Sequence, residues 1–252
     1  MNYLFKPTLK NVLARKEVKL FLGFTIFPLL LIIVDLFDTN FMQLGSQTSS
    51  LDFIEVFAAM EIALLNMALP IIVLSYLISI VFYQEIQDGL LFLHKDISRI
   101  KILHAKMMSL VVVVLLFHLL LFVTSLITYY THLVHMSYIS GHFITVTDGL
   151  GQTIIEIVGV ISMQLLILLV TVNLSLYTSS GITILGSILF LLVGLMSNAL
   201  PTLRYFFPIG YISLVADGMS PKIALLIALG IFIVYSGLMY INAHRGFKRL
   251  EY

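Results

Sequence analysis

The sequence predicts an all-α, polytopic membrane protein with six transmembrane helices. Of its 252 residues, 60% are hydrophobic and 11% charged, whereas soluble domains run at roughly half apolar and a quarter charged. The mean hydropathy is +1.07. Six apolar windows approach the roughly 20 residues that a helix needs to cross a bilayer. Runs such as Val111-Val-Val-Val-Leu-Leu116 do not alternate apolar with polar, as the strands of a membrane barrel do. Helices are therefore the spanning elements.

The windows lie at about 20–37, 62–83, 107–130, 153–176, 181–199 and 223–242 of a single transmembrane domain covering 1–252. The first is read as a retained span, because no small-x-small cleavage site follows near Asp35–Asn40. Pro28 and Pro70 fall inside the first two windows and predict kinks there. Ahead of the first window, Leu9, Val12 and Leu13 share one side of a helical projection, with Lys6, Lys10 and Arg15 elsewhere. This pattern predicts a short amphipathic helix over 6–17 at the inner membrane surface, with Pro7 at a permitted first-turn position. Residues 200–222 are interrupted by Pro201, Pro208, Gly210 and Pro221, yet Tyr205, Phe206, Phe207 and Tyr211 are too apolar for a free loop. A re-entrant or interfacial hairpin at the outer leaflet reconciles the two.

Lys and Arg accumulate on the cytoplasmic side of a membrane protein. Lys6, Lys10, Arg15, Lys16 and Lys19 precede the first window, Lys95, Arg99, Lys101 and Lys106 follow the second, and Arg245, Lys248 and Arg249 follow the last. Only Arg204 and Lys222 fall on the opposite side. Both termini are thus expected in the cytoplasm. The outer segment 38–61 carries Asp38, Asp52, Glu55 and Glu61 without a base, in keeping with that asymmetry.

The formal charge of +1 gives no basic surplus for nucleic acid. The absence of cysteine removes disulfides, thiolate metal sites and a Cys nucleophile. His132, His135 and His142 share one outer loop, but a metal site needs three or four convergent ligands with supporting groups, so none is expected.

The one sizeable cytoplasmic loop, 84–106, mixes Glu85 and Asp88 with Leu90, Leu91, Phe92, Leu93, Ile97 and Ile100. So many large apolar residues either lie on the lipid interface or fill a groove in a cytoplasmic partner. The order of residues is distinctive: an acidic group after the second span, Asp88-Gly89-Leu90, then Ile97-Ser98-Arg99, then Ala105-Lys106 opening the third span. This loop resembles the signature loop of ABC-2 type transporter permeases. The six spans, the N-terminal interface helix and the Phe247-Lys-Arg ending resemble that family too. Asp96-Ile97 stands where the family usually has a proline before Ser-Arg.

The resemblance implies two permease copies side by side, identical or paired with a sister permease, in a bacterial plasma membrane. Each would dock a cytoplasmic ABC ATPase through Glu85, Asp88, Gly89, Leu90, Phe92 and Leu93, with Arg99 and Lys106 capping the return into the third span. No Gly-x-x-x-x-Gly-Lys-Ser/Thr phosphate loop occurs in the chain. No cofactor is expected in it, and Mg-ATP would belong to the partner. In size the chain is similar to permeases that expel membrane-active peptides, such as those of lantibiotic immunity, which implies an amphipathic peptide as cargo. Hydrophobic drugs or lipids are alternatives, and an ATP-independent secondary transporter is a further one. The residues show no zincin, paired-Glu or Gly-x-Ser-x-Gly motif, so an enzyme is not expected.

Polar groups at bilayer depth are expensive and so worth placing. Gln164, Thr171 and Ser175 fall on one stripe of the fourth window and are candidates for a substrate path, with inter-helix hydrogen bonding as the alternative. His118 has no carboxylate at helical spacing, so a packing role is expected for it.

Overall fold

The computed structural model describes residues 2–35, 51–89, 98–136, 138–145 and 149–249. Leu90, Phe92 and Leu93 therefore lie outside the described residues. Helix α1, Asn2–Ala14, is followed at Arg15 by an extended residue and then by α2, Lys16–Gly23. A 3-10 turn, Phe24–Ile26, leads into α3, Phe27–Asp35. The first apolar window is thus a chain of short helical pieces. Pro28 sits in the first turn of α3, where its missing N–H costs nothing.

Helix α4, Phe53–Asn66, begins earlier than its hydropathy suggests. Asp52 caps it by accepting from the Glu55 backbone N–H at 2.9 Å, and Glu55 answers by accepting from the Asp52 N–H at 3.0 Å. This reciprocal box satisfies two otherwise orphan donors and fixes where the helix starts. Residues 53–61, expected in an outer loop, are helical instead, and Phe53, Val56, Met60 and Glu61 are buried.

A kink at Pro70 was the expectation, but the helix is divided instead. Ala68 turns to φ 58° and a new helix, α5 (Leu69–Ser79), starts with Pro70 in its first turn. A proline inside a continuous helix would clash with the carbonyl four residues back, and a restart avoids that. A π-helical turn, Ile80–Gln84, and the short α6, Glu85–Gln87, continue the path until Gly89, at φ 67°, ends it.

Helix α7, Arg99–Thr131, has 33 residues, or about 50 Å. That exceeds the roughly 30 Å hydrocarbon core, so its ends project beyond the apolar layer. Its first turns absorb 99–106, and the connection expected over 84–106 shortens accordingly. After it come α8, Leu150–Ser175, and α9, Ser180–Met196, then α10, Tyr211–Ala216, and α11, Pro221–Arg249. Between α9 and α10 the chain makes two 3-10 turns, Leu203–Tyr205 and Pro208–Gly210.

Among the described residues, four helical stretches are long and apolar enough to cross a membrane: Leu69–Gln87, Arg99–His135, Leu150–Ser175 and Pro221–Arg249. They mark the chain as an all-helical membrane protein. Helix α9 is also apolar but has only 17 residues.

Helix α8 is the hub, touching α4, α5, α7, α9 and α11. Of its apolar window 61% is buried inside the molecule, against 11% for α11, so α11 lies at the rim. Gly159 lets the 208–210 turn approach α8, since a Cβ there would stand 3.3 Å from the Ile209 Cα.

Side-chain contacts identify the two ends. At one, Arg15 and Lys106 meet Glu85, and Arg99 Nη1 donates to the Lys248 carbonyl at 3.2 Å. At the other, Asp52 Oδ2 accepts from the Thr145 N–H and hydroxyl at 2.7 and 2.6 Å, and Leu51 pairs with Ile139.

Candidate functional site

Two ionisable clusters stand out. The first lies where α1, α6 and α7 meet. Arg15 Nη2 is 2.6 Å from Glu85 Oε1, and Lys106 Nζ is 2.8 Å from Glu85 Oε2. Lys106 Nζ also donates to the Val81 carbonyl at 2.8 Å and lies over the Phe82 ring. Local chain geometry produces the cluster. The extended backbone at Arg15 places its side chain at the α1–α2 corner, and the π-turn delivers Glu85 beside α7.

Of the residues proposed for partner docking, Glu85 is thus already engaged within the chain. Asp88 is exposed, and Gly89 supplies the positive φ that ends the helix. Arg99 is not a loop residue: it opens α7 after Ser98 and reaches the end of α11.

The second cluster is buried. Glu61 Oε1 and His118 Nδ1 are 2.7 Å apart, with side-chain exposures of 1% and 7%. Glu61 lies about two turns into α4 and His118 lies near the middle of α7. A packing role was expected for His118 because its own helix offers no carboxylate. The partner comes from another helix, which spacing along one helix cannot reveal. Packing does not satisfy the ring either, since His118 Nε2 is buried with no hydrogen-bond partner.

Beside Glu61 is a cavity of about 10 Å³, lined by Leu64, Leu65, Pro70, Ile71, Phe117, Val160 and Gln164 as well as Glu61. That is about the space one water needs. The α4–α5 break contributes Pro70 and Ile71 to it, and α8 contributes Gln164.

The three residues of the α8 stripe part company. Gln164 faces this cavity and is 3% exposed. Thr171 Oγ1 lies 2.7 Å from Ser187 Oγ and donates to the Ile167 carbonyl at 2.6 Å, joining α8 to α9. Ser175 donates to the Val172 carbonyl at 2.8 Å. Both are fully buried.

Sequence reasoning did not find the contacts that α8 and α7 make with the rim helix. Asn173 Nδ2 donates to the Leu169 and Met239 carbonyls, and Asn242 Nδ2 donates to Asn173 Oδ1 at 2.8 Å. His104 meets the Tyr240 hydroxyl. Among the described residues no three metal-ligating side chains converge.

Fold and clusters together define an all-helical membrane protein that ties one end with ion pairs and carries another ion-pairing group inside. No family model, no curated protein and no solved structure matches the chain.

Proposed function

We propose that this chain is the membrane subunit of an ATP-driven exporter of the ABC-2 permease type. In this reading it crosses a bacterial plasma membrane six times, with both termini in the cytoplasm. The first window, in its short pieces, and the 17-residue α9 are the two crossings beyond the four long helices. A second permease copy completes the cavity, and a separate ABC ATPase supplies the energy. The cargo is an amphipathic, membrane-active peptide that partitions into the bilayer and enters laterally. Hydrophobic drugs and lipids remain the alternative cargoes.

The observation that supports this best is the Arg15–Glu85–Lys106 cluster. It links the N-terminal helix, the end of the second window and the start of α7 in one bonded unit, next to the segment that resembles the family's ATPase-docking loop. Force applied to that segment would then reach α1 and α7 together. Asp88, exposed at its start, is free of that cluster and suited to a partner's basic rim.

The test is co-purification in mild detergent with ABC ATPases from the same cell, comparing wild type with Asp88→Arg/Phe92→Ala. That variant leaves Glu85 in its internal ion pairs. A stable complex with stimulated ATPase activity, lost in the variant, supports the exporter. A chain that recruits no ATPase would instead favour a secondary transporter, whose coupling ions bind near the midplane.

A further inference from the structure

We propose that Glu61 and His118 form an intramembrane proton-binding site that exchanges protons through the water-sized cavity beside Gln164. The inference is independent of what drives transport. It starts from cost. A carboxylate and an imidazole inside a membrane protein are expensive, and a pair of well-packed apolar residues commonly serves stability as well or better. A pair kept only for packing would also be expected to satisfy its own polar atoms. Here it does not. His118 Nε2 is buried without a partner, and the Gln164 side chain, 3% exposed, lines the cavity beside the pair.

The geometry suits a proton and little else. With one proton between Nδ1 and Oε1 the pair is neutral in either arrangement, neutral acid with neutral imidazole or carboxylate with imidazolium. Low dielectric favours that state over a net charge. The cavity, about 10 Å³, holds one water and no hydrated metal ion. A water there would bridge the Glu61 side chain and the Gln164 amide. A proton donated by hydronium or buffer on the aqueous side passes to the carboxylate, and the pair, counting the Nε2 proton, then carries three protons and one positive charge. Its release to the same water restores the neutral pair.

Among the described residues the surroundings supply no rival base. Against the pair and its cavity, α5 contributes Pro70 and Ile71, α8 contributes Val160 and Gln164, and α2 contributes Phe21, stacked on Phe117 at 4.6 Å. No third ionisable side chain hydrogen-bonds or ion-pairs with Glu61 or His118 among the described residues. On α4 and α8 the other acidic groups are Glu55, held in the Asp52 cap, and Glu156, which accepts from Gln152 at 3.2 Å. On α7 the remaining ionisable groups belong to the ends or to other contacts: Lys106 with Glu85, His104 with Tyr240, and Tyr129 with the Leu51 and His142 carbonyls.

The experiment is a pH titration of the full chain in lipid nanodiscs with ¹⁵N-labelled histidine. His118→Gln identifies the His118 ring signals. The wild-type ring signals should move with pH as the pair takes up its further proton. In Glu61→Gln, which keeps the shape and a hydrogen-bonding group, that movement should be lost. The His104 signals, from a ring bonded to Tyr240 elsewhere, should be the same in both proteins and serve as the control for folding. A His118 ring whose signals do not move with pH in the wild type would overturn the proposal, as would one that titrates identically in Glu61→Gln.

Discussion

Glu85 and Glu61 are both carboxylates tied to a base on α7, and they live under opposite conditions. Glu85 has two cations, Arg15 and Lys106, and 22% of its side chain is exposed. Glu61 has one imidazole and 1% exposure. Water offsets any imbalance at Glu85, so its pairs can tie helices together at small risk. At Glu61 bulk water is out of reach, and the charge of the site is set by how many protons the pair holds. A carboxylate near water serves as a fastener, while one deep in the bundle is a liability unless its protonation is put to use.

Removing one partner of the buried pair should have the largest effect. His118→Leu leaves Glu61 alone in an apolar site and is expected to cost about 3 kcal/mol, the scale for breaking a buried pair. Thermal unfolding of the purified protein reads it. Glu61→Leu/His118→Leu should recover most of that loss, because replacing both partners removes the uncompensated group. A double variant as unstable as the single one would show that the pair itself holds the bundle together.

Glu85→Ala comes next. It strands the buried Lys106 ammonium and the Arg15 guanidinium, and partial exposure limits the loss to about 1–2 kcal/mol. Limited proteolysis at Arg15 and Lys16 should accelerate, because α1 is no longer anchored. Arg15→Ala should cost less, since Glu85 keeps Lys106.

Packing offers a parallel contrast between hub and rim. Gly159→Ala brings a Cβ within 3.3 Å of the Ile209 backbone and should cost about 1 kcal/mol through overpacking. Gly230 on α11 has nothing within 4 Å of such an atom, so Gly230→Ala should be neutral or stabilising by up to about 1 kcal/mol. Size-exclusion chromatography of that variant sharpens the contrast. Loss of the proposed dimer would place α11 at the subunit contact.

The smallest effect is that of salt. Raising ionic strength to about 1 M shortens the screening length to roughly 3 Å. It should weaken the Glu85 cluster by a few tenths of a kcal/mol while leaving Glu61–His118 untouched. The salt dependence of unfolding should therefore shrink in Glu85→Ala and persist in the Glu61→Leu/His118→Leu variant.

Much of the fold could be read from the chain alone. Hydropathy located α7, α8 and α11 to within a few residues, except where polar ends such as 99–106 and 243–249 continue the helix beyond its apolar stretch. Pro70 announced a disturbance, and φ 58° at Ala68 decided that it would be a break. Polar positions in α8 were visible as a stripe, but the stripe did not reveal that Thr171 meets Ser187 while Gln164 meets a cavity. The start of α4 was missed because Asp52 and Glu55 look like ordinary outer-loop acids until they are seen capping a helix.

What the sequence determined by itself was the class: helices in a membrane, with the charged residues gathered at their ends. Apolar content and helical length are local properties, so they survive without knowledge of the neighbours. Tertiary structure alone decided which charges meet. Glu61 and His118 are 57 residues apart, and Arg15 and Glu85 are 70 apart, and no periodicity spans such distances. Packing α4 against α7 brings Glu61 to His118, the meeting of α1, α6 and α7 brings Glu85 to its two cations, and burial then makes one cluster a fastener and the other a site for a proton.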